Sequence, residues 1–327
     1  MAVQVRGMGH ALPDKVLNNF DLEQMVETND EWIVERTGIK ERRIADSNTA
    51  TSDLCFEAAR MALERAGVEA EELDLIIVAT VTPDMMFPST ACIIQQRLGA
   101  SKAAAFDLSA GCTGFIYGVT VAERFLSAPD CRYALIVGAD VLSRITDFTD
   151  RNTCILFGDG AGAAVIGKGS TPGILSSYLG ADGSGADLLY LPAGGSRIPV
   201  SHETIEKKLH FVRMHGNEIF RFASKIMVEI CEKLLSRAEL DYNDVDVFVP
   251  HQANLRIIKT AMKRMNIPPE KTLINIDQFG NMSAASIPVA LSMAYEEGLL
   301  KDGQLILAAA FGAGLTYGGI LFRWGRN

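Results

Sequence analysis

Three residues stand where their types could do chemistry. Cys112 lies in Asp107-Leu-Ser-Ala-Gly-Cys-Thr-Gly-Phe115, where an apolar run ends, small residues make a tight turn and a helical pattern begins. A helix start offers free N–H groups and the positive end of the dipole, which favour thiolate over thiol. Gly111 and Gly114 let backbone and ligand approach closely. This is the setting of a nucleophile. His251 follows an apolar run directly, in Val249-Pro-His-Gln-Ala-Asn-Leu-Arg256, where an α/β sheet presents ligands. Asn281, in Gln278-Phe-Gly-Asn-Met-Ser-Ala-Ala-Ser286, occupies a similar turn. Blander roles stay open for both: a structural histidine, and an N-cap asparagine.

The remaining candidates are weaker. Cys55, Cys92, Cys131, Cys154 and Cys231 are scattered without metal-ligand spacing and read as small buried hydrophobes. No metal site is expected. His10, His202, His210 and His215 lie in loops or polar stretches. The run Ala309-Ala-Phe-Gly-Ala-Gly-Leu-Thr-Tyr-Gly318 reads as a tight hairpin or as a source of a backbone oxyanion donor. It has no following helix and no P-loop lysine, which disfavours phosphate binding.

The elements that must position these residues alternate, so an α/β fold with largely parallel strands is expected. Strands are expected at Leu73–Val81, Ala104–Leu108, Tyr133–Ala139 and Gly162–Gly167, with helices at Pro88–Leu98 and Cys112–Leu126. The second half repeats the order. It has strands at Val245–Val249, Thr272–Ile276, Leu305–Ala310 and Leu315–Phe322, and helices at Leu255–Met265 and Ser283–Leu299. Glu72-Leu-Asp-Leu-Ile-Ile-Val78 parallels Asp244-Val-Asp-Val-Phe-Val249. Phe106-Asp-Leu-Ser-Ala-Gly-Cys112 parallels Ile276-Asp-Gln-Phe-Gly-Asn281. Two duplicated halves are expected, residues 1–170 carrying the cysteine and 171–327 carrying the histidine and asparagine, with a site between their strand-to-helix turns. The segment Gly180–His210, rich in Gly, Ser and Pro, reads equally as a solvated connector or as a cover over that site.

Composition narrows the classes of function. The 327 residues are 48% hydrophobic and 22% charged, ordinary globular usage that argues against disorder. With 31 Lys plus Arg against 40 Asp plus Glu, the net charge is −9, which disfavours a general nucleic-acid surface. No run approaches the ~18–20 apolar residues that cross a bilayer. The first residues lack the pattern of a secretory signal, so a cytoplasmic protein without a membrane partner is expected.

Together, Ser-Ala-Gly-Cys112, Pro-His251-Gln-Ala-Asn and Gly-Asn281-Met-Ser-Ala-Ala-Ser closely resemble the β-ketoacyl-acyl carrier protein synthase III family. Asp30-Glu-Trp-Ile-Val-Glu-Arg-Thr-Gly-Ile39, Glu41-Arg-Arg-Ile-Ala45 and Phe157-Gly-Asp-Gly-Ala-Gly-Ala163 extend the resemblance over essentially the whole chain. It implies a thiolase-like fold, with two duplicated βαβαβαββ halves layered α/β/α/β/α, and a homodimer. It also implies condensation of an acyl-CoA primer with malonyl-acyl carrier protein, with no cofactor because the CoA thioesters are substrates.

The resemblance assigns roles residue by residue. Cys112 would carry the acyl group, and His251 and Asn281 would stabilise the malonyl-derived enolate. Backbone N–H groups of Cys112 and Ala313 would form the oxyanion hole. Trp32 and Arg151 would sandwich the CoA adenine, Arg36 would meet a phosphate and Asn217 the pantetheine. Arg221, Gln252, Arg256, Lys263 and Arg264 would meet the acidic carrier protein, a solvated helix face being the competing reading of the basic ones. Met86 and Phe87 fall near the position where the partner subunit limits the acyl chain, which favours short straight primers such as acetyl-CoA. A thiolase is the nearest rival, but its second cysteine falls on Ala310. A Cys–His–Asn thioester hydrolase and a non-catalytic carrier-binding paralogue are rivals of other classes.

Overall fold

The computed structural model describes residues 2–171 and 173–325. Two sheets form its centre. The first is built from β1 (Ala2–Ala11), β2 (Leu75–Ala79), β3 (Ala104–Leu108), β4 (Tyr133–Asp140) and β5 (Gly160–Gly169). Its strand order is β1-β5-β4-β2-β3, with β3, β2 and β4 parallel and the rest antiparallel. The second contains β6 (Ile174–Ala181), β7 (Val247–Pro250), β8 (Leu305–Gly312) and β9 (Thr316–Arg323), in the order β7-β8-β9-β6. Here β7 and β8 are parallel, and β9 is antiparallel to both its neighbours. The two sheets repeat one another, β2 matching β7, β4 matching β8, β5 matching β9 and β1 matching β6.

Eight helices matter for the site: α1 (Asp30–Thr37), α2 (Thr51–Ala66), α3 (Thr90–Leu98), α4 (Gly114–Phe125), α5 (Arg151–Cys154), α6 (Gly216–Arg237), α7 (Leu255–Met265) and α8 (Ser286–Glu296). Strand side chains alternate between faces, so a strand covered on both sides must be apolar throughout. In β2, Leu75 and Ile77 join the core formed with α4 and α8, while Ile76 and Val78 join that formed with α2 and α3. In the second sheet, Val247 and Val249 face the same α4/α8 layer, and Phe248 faces α6 and α7. The result is five layers, with α4 and α8 between the sheets. No helix among the described residues is long and apolar enough to cross a membrane.

The boundaries differ from the sequence reading in instructive places. Residues Thr272–Ile276, expected as a strand, make a single parallel bridge between Thr272 and Phe248 and then turn into the short helix Ile276–Phe279. Side chains replace the ladder there: Gln252 Nε2 donates to the Leu273 carbonyl at 3.1 Å, and the Asn275 N–H donates to Gln252 Oε1 at 3.2 Å. The middle helices also start later than their patterns suggest. Gly111–Thr113 and Ser283–Ala285 each form one 3₁₀ turn before α4 and α8.

Candidate active site

Cys112 sits in the 3₁₀ turn at the end of β3, above the start of α4. Gly111 adopts φ +54°, a conformation glycine takes without a Cβ penalty. A Cβ there would lie 2.8 Å from the Ala313 nitrogen, and a Cβ on Gly312 would lie 2.6 Å from the Cys112 nitrogen. Two backbone segments therefore abut at a distance only glycine allows. Thr316 ties them, its Oγ1 donating to the Ala110 carbonyl at 2.8 Å and lying 2.8 Å from Thr113 Oγ1.

His251 emerges from the end of β7, its N–H donating to the Ala309 carbonyl of β8 at 2.9 Å. Its ring meets Phe311 edge-on, with centroids 5.5 Å apart, and its Nδ1 lies 2.7 Å from Ser286 Oγ. Nε2 is buried with no protein partner. Asn281 is held by its backbone, its N–H donating to the Leu156 carbonyl and its own carbonyl accepting from the Gly158 N–H. Its Oδ1 accepts from the Ser283 N–H at 2.9 Å, which leaves the amide NH₂ as the group on offer. Ser283 makes that bond from φ +48°, where non-glycine residues are uncommon.

Cys112, His251 and Asn281 line one cavity of about 400 Å³, together with Trp32, Arg36 and Asn217. A second, largely apolar cavity of about 230 Å³ shares Cys112 and runs on between Leu142, Ile145, Phe157 and Val212. Leu189, Tyr190 and Leu191 wall this second cavity, and Leu189–Tyr190 pairs with Arg213–Met214 in a two-stranded ribbon. Of the segment left open between connector and cover, residues 189–191 thus cover the second cavity.

The electrostatics reverse one expectation. Burial pushes the Cys112 thiol up to about 12, outweighing hydrogen bonds from Ser283 and from the cysteine's own N–H. The helix start does not by itself produce a standing thiolate. Burial likewise pushes His251 down to about 3, so the ring is neutral at physiological pH.

Other expected site residues divide. Trp32, whose N–H is capped by Asn29, has the Arg151 guanidinium 4.1 Å from its ring centroid and Arg36 at 5.7 Å. Trp32 and Arg151 therefore stack on each other, so the space expected for an adenine between them is closed in this structure. Arg221, Arg256, Lys263 and Arg264 are exposed on α6 and α7, with Arg256 over Phe220 at the cavity rim. Gln252 does not join them. It is 0% exposed, and its Nε2 also donates to the Pro250 carbonyl at 2.8 Å, so it fastens the turn after β7 rather than facing a carrier. Met86 and Phe87 are 79% and 85% exposed and line neither cavity holding Cys112 within this chain. Sequence reasoning missed Ser286 and Phe311. Both lay inside quoted motifs, yet nothing in their spacing marked them as partners of His251.

Layered sheets with a cysteine, a histidine and an asparagine converging on one tunnel define a thiolase-fold condensing enzyme. Comparison with known proteins agrees. Residues 106–183 match the family model for 3-oxoacyl-[acyl-carrier-protein] synthase III, and residues 235–324 match the model of its C-terminal part. The chain is 70% identical over 328 residues to a β-ketoacyl-[acyl-carrier-protein] synthase III of Syntrophomonas wolfei, covering 100% of this chain and 99% of the relative. It is 56% identical to that of Caldanaerobacter subterraneus, covering 100% and 99%. The crystal structure of the 3-oxoacyl-[acyl-carrier-protein] synthase III from Aquifex aeolicus aligns with a TM-score of 0.91 at 44% identity, covering 99% of this chain and 100% of that one. The chain belongs to the 3-oxoacyl-[acyl-carrier-protein] synthase III family.

Proposed function

We propose that this cavity runs two half-reactions in sequence, with Cys112 as acyl acceptor and His251 and Asn281 as donors to an enolate. The chain is a condensing acyltransferase that joins an acyl-CoA primer to malonyl-acyl carrier protein and so initiates fatty-acid synthesis. In the first half, Cys112 Sγ adds to the primer carbonyl while the N–H groups of Cys112 and Ala313 hold the oxyanion. The bond to CoA sulfur then breaks, and the thiol proton leaves with CoA. In the second half, CO₂ departs from the malonyl group, and its electron pair passes to the thioester oxygen. The His251 Nε2–H and the Asn281 amide donate to that oxygen, each such donor being worth ~3–4 kcal/mol. The carbanion carbon attacks the acyl carbonyl, and Cys112 leaves as the thiolate while 3-oxoacyl-carrier protein forms, then takes a proton from solvent to restore the thiol. Loss of CO₂ makes the carbanion directly, so no base need take a proton from carbon, which suits a neutral histidine.

The observation that carries this reading is the convergence of Cys112, His251 and Asn281 on a tunnel that continues past the cysteine into an apolar pocket. Trp32, Arg36, Arg151 and Asn217 hold CoA at the outer end, with Arg151 swinging off Trp32 to admit the base. Arg221, Arg256, Lys263 and Arg264 receive the acidic carrier. The enzyme is a cytoplasmic homodimer. Support for the dimer is that β3 ends the first sheet with no strand on its outer side among the described residues, and that the large apolar side chains of Met86 and Phe87 are exposed. Met86 and Phe87 of the second copy then close the primer pocket and favour acetyl-CoA.

Enzyme mixed with malonyl-acyl carrier protein and either acetyl-CoA or branched C4–C5 acyl-CoAs tests the reading by product mass. The expected result is a 3-oxoacyl-carrier protein, with acetyl-CoA giving the higher kcat/KM. Hydrolysis of the primer without condensation, or no reaction, overturns the reading, and a higher kcat/KM for branched primers overturns the primer preference.

A further inference from the structure

The neutral ring of His251 can carry its proton on either nitrogen, and the two tautomers do different chemistry. With the proton on Nε2 it donates to an enolate oxygen. With the proton on Nδ1, Nε2 becomes an acceptor, able to act as a base, in the cavity that Cys112 also lines. Which one exists is set by the partner of Nδ1, and that partner is Ser286.

Ser286 is 1% exposed, at the first residue of α8. Its Oγ lies 2.7 Å from His251 Nδ1 and accepts the Gln252 N–H at 3.4 Å. A serine hydroxyl has one hydrogen to give and lone pairs to receive. The Gln252 N–H already uses the hydroxyl as an acceptor, and Gln252 cannot turn away, because its side chain is pinned to Pro250, Leu273 and Asn275. If Nδ1–H also donated to Oγ, the hydroxyl hydrogen would be left in a buried site without an acceptor among the described residues, a costly arrangement. If the hydroxyl donates to Nδ1, the hydroxyl hydrogen and the Gln252 N–H are both paired, and the ring proton resides on Nε2, where a ligand in the cavity can accept it. That nitrogen is the ring nitrogen without a partner among the described residues, and the ring lines the cavity.

We propose that Ser286 is a positioning residue for condensation: its hydroxyl donates to His251 Nδ1 and thereby holds the imidazole as an Nε2–H donor for the decarboxylation half-reaction. This rests on the role proposed above for His251, and makes Gln252 the second anchor of the same device.

The test combines a spectroscopic and a kinetic readout. Enzyme labelled with ¹⁵N-histidine, with the His251 signals assigned by difference against H251A, is expected to show the proton on Nε2 and a hydrogen-bonded, unprotonated Nδ1. A proton on Nδ1 in the unmodified enzyme overturns the proposal without any serine variant. S286A is expected to lose about tenfold in decarboxylation of malonyl-acyl carrier protein, to keep Cys112 acylation by acetyl-CoA within twofold, and to lose the single-tautomer signature. S286T, which retains the hydroxyl, is expected to restore both. If H251A lowers decarboxylation but folded S286A does not, Ser286 has no such role. If H251A itself leaves decarboxylation intact, the reading of His251 fails first, and the two failures are told apart.

Discussion

The turn that carries Cys112 and the turn that carries Asn281 are built alike and used differently. The first follows strand β3 and the second the short helix Ile276–Phe279, and each passes through positive φ, makes one 3₁₀ turn and enters a helix of the middle layer. In the first, the positive φ falls on Gly111 and the reactive atom sits inside the 3₁₀ turn. In the second, it falls on Gly280 and again on Ser283, and the reactive amide lies between them, before the 3₁₀ turn. The first turn offers sulfur and backbone N–H groups. The second offers Asn281 and, through the start of α8, Ser286 behind His251. One architecture thus supplies both a nucleophile and an oxyanion site, because a tight turn into a helix exposes a side chain at one position and unpaired N–H groups at the next.

The sharpest way to break this division is to separate the half-reactions. C112A is expected to abolish acyl transfer from acetyl-CoA, seen as loss of the single acyl adduct in intact mass, while measurable decarboxylation of malonyl-acyl carrier protein remains. H251A and N281A are expected to lose decarboxylation by roughly 10²-fold each, the scale of one lost oxyanion donor, and to keep a substantial part of the acylation. If H251A abolishes acylation while decarboxylation survives, the two turns do not divide the work in this way, and His251 is the base that activates Cys112.

A second measurement addresses the thiol itself. A helix start lowers a cysteine pKa, whereas burial raises it, and at Cys112 burial wins. The reactive fraction is the thiolate, so with a pKa near 12 it grows tenfold for each pH unit until that pH is approached. Alkylation of Cys112 in the free enzyme, followed by peptide mass between pH 7 and pH 10, is expected to accelerate by close to tenfold per unit throughout. A rate that levels off below pH 9 would mean that the dipole outweighs burial after all, and that the two turns differ electrostatically more than their shared fold suggests.

Much of this was legible in the chain, and the exceptions share a cause. The order of strands and helices, the doubling of that order and the convergence of the three residues all rest on local patterns: apolar runs, glycine turns, a cysteine and a histidine after strand ends, and an asparagine after a glycine turn. Residues Leu255–Met265 form the helix expected of them, with Asn254 as its cap. Depth and partnership were not legible. Gln252 reads as a polar residue near a basic face, but its amide is consumed by three backbone groups. Thr272–Ile276 has a strand's composition, but those same bonds take the place of a ladder. The raised thiol of Cys112 follows from the desolvation of a half-buried side chain between packed layers, and the contact of Arg151 with Trp32 from two segments more than a hundred residues apart.

The smallest expected effect sharpens the comparison through the backbone. Positive φ costs an L-residue roughly 1–2 kcal/mol, and glycine escapes that cost. At Gly111 an added Cβ meets both the φ of +54° and the Ala313 nitrogen at 2.8 Å, and the neighbour is main chain that cannot rotate away. G111A is therefore expected to lose about 2 kcal/mol or more of stability. Gly67 is the control: its φ is +62°, but a Cβ there meets nothing within 4 Å, so G67A should lose only the conformational part, on the order of 1 kcal/mol. At Ser283 the sign of the backbone contribution reverses, because S283G relieves a φ of +48°. Against that relief stand the greater freedom of glycine in the unfolded chain, ~0.5–1 kcal/mol, and the loss of a buried hydroxyl beside Cys112 and Asp140. These oppose each other, so S283G should stay within about 1 kcal/mol of the parent. Urea midpoints of the three variants, measured side by side with the parent, give the ranking. If G111A matches G67A, the Cys112 turn is not pinned by the 312–313 segment, and the abutting amides that distinguish it from the Asn281 turn are not what hold it in place.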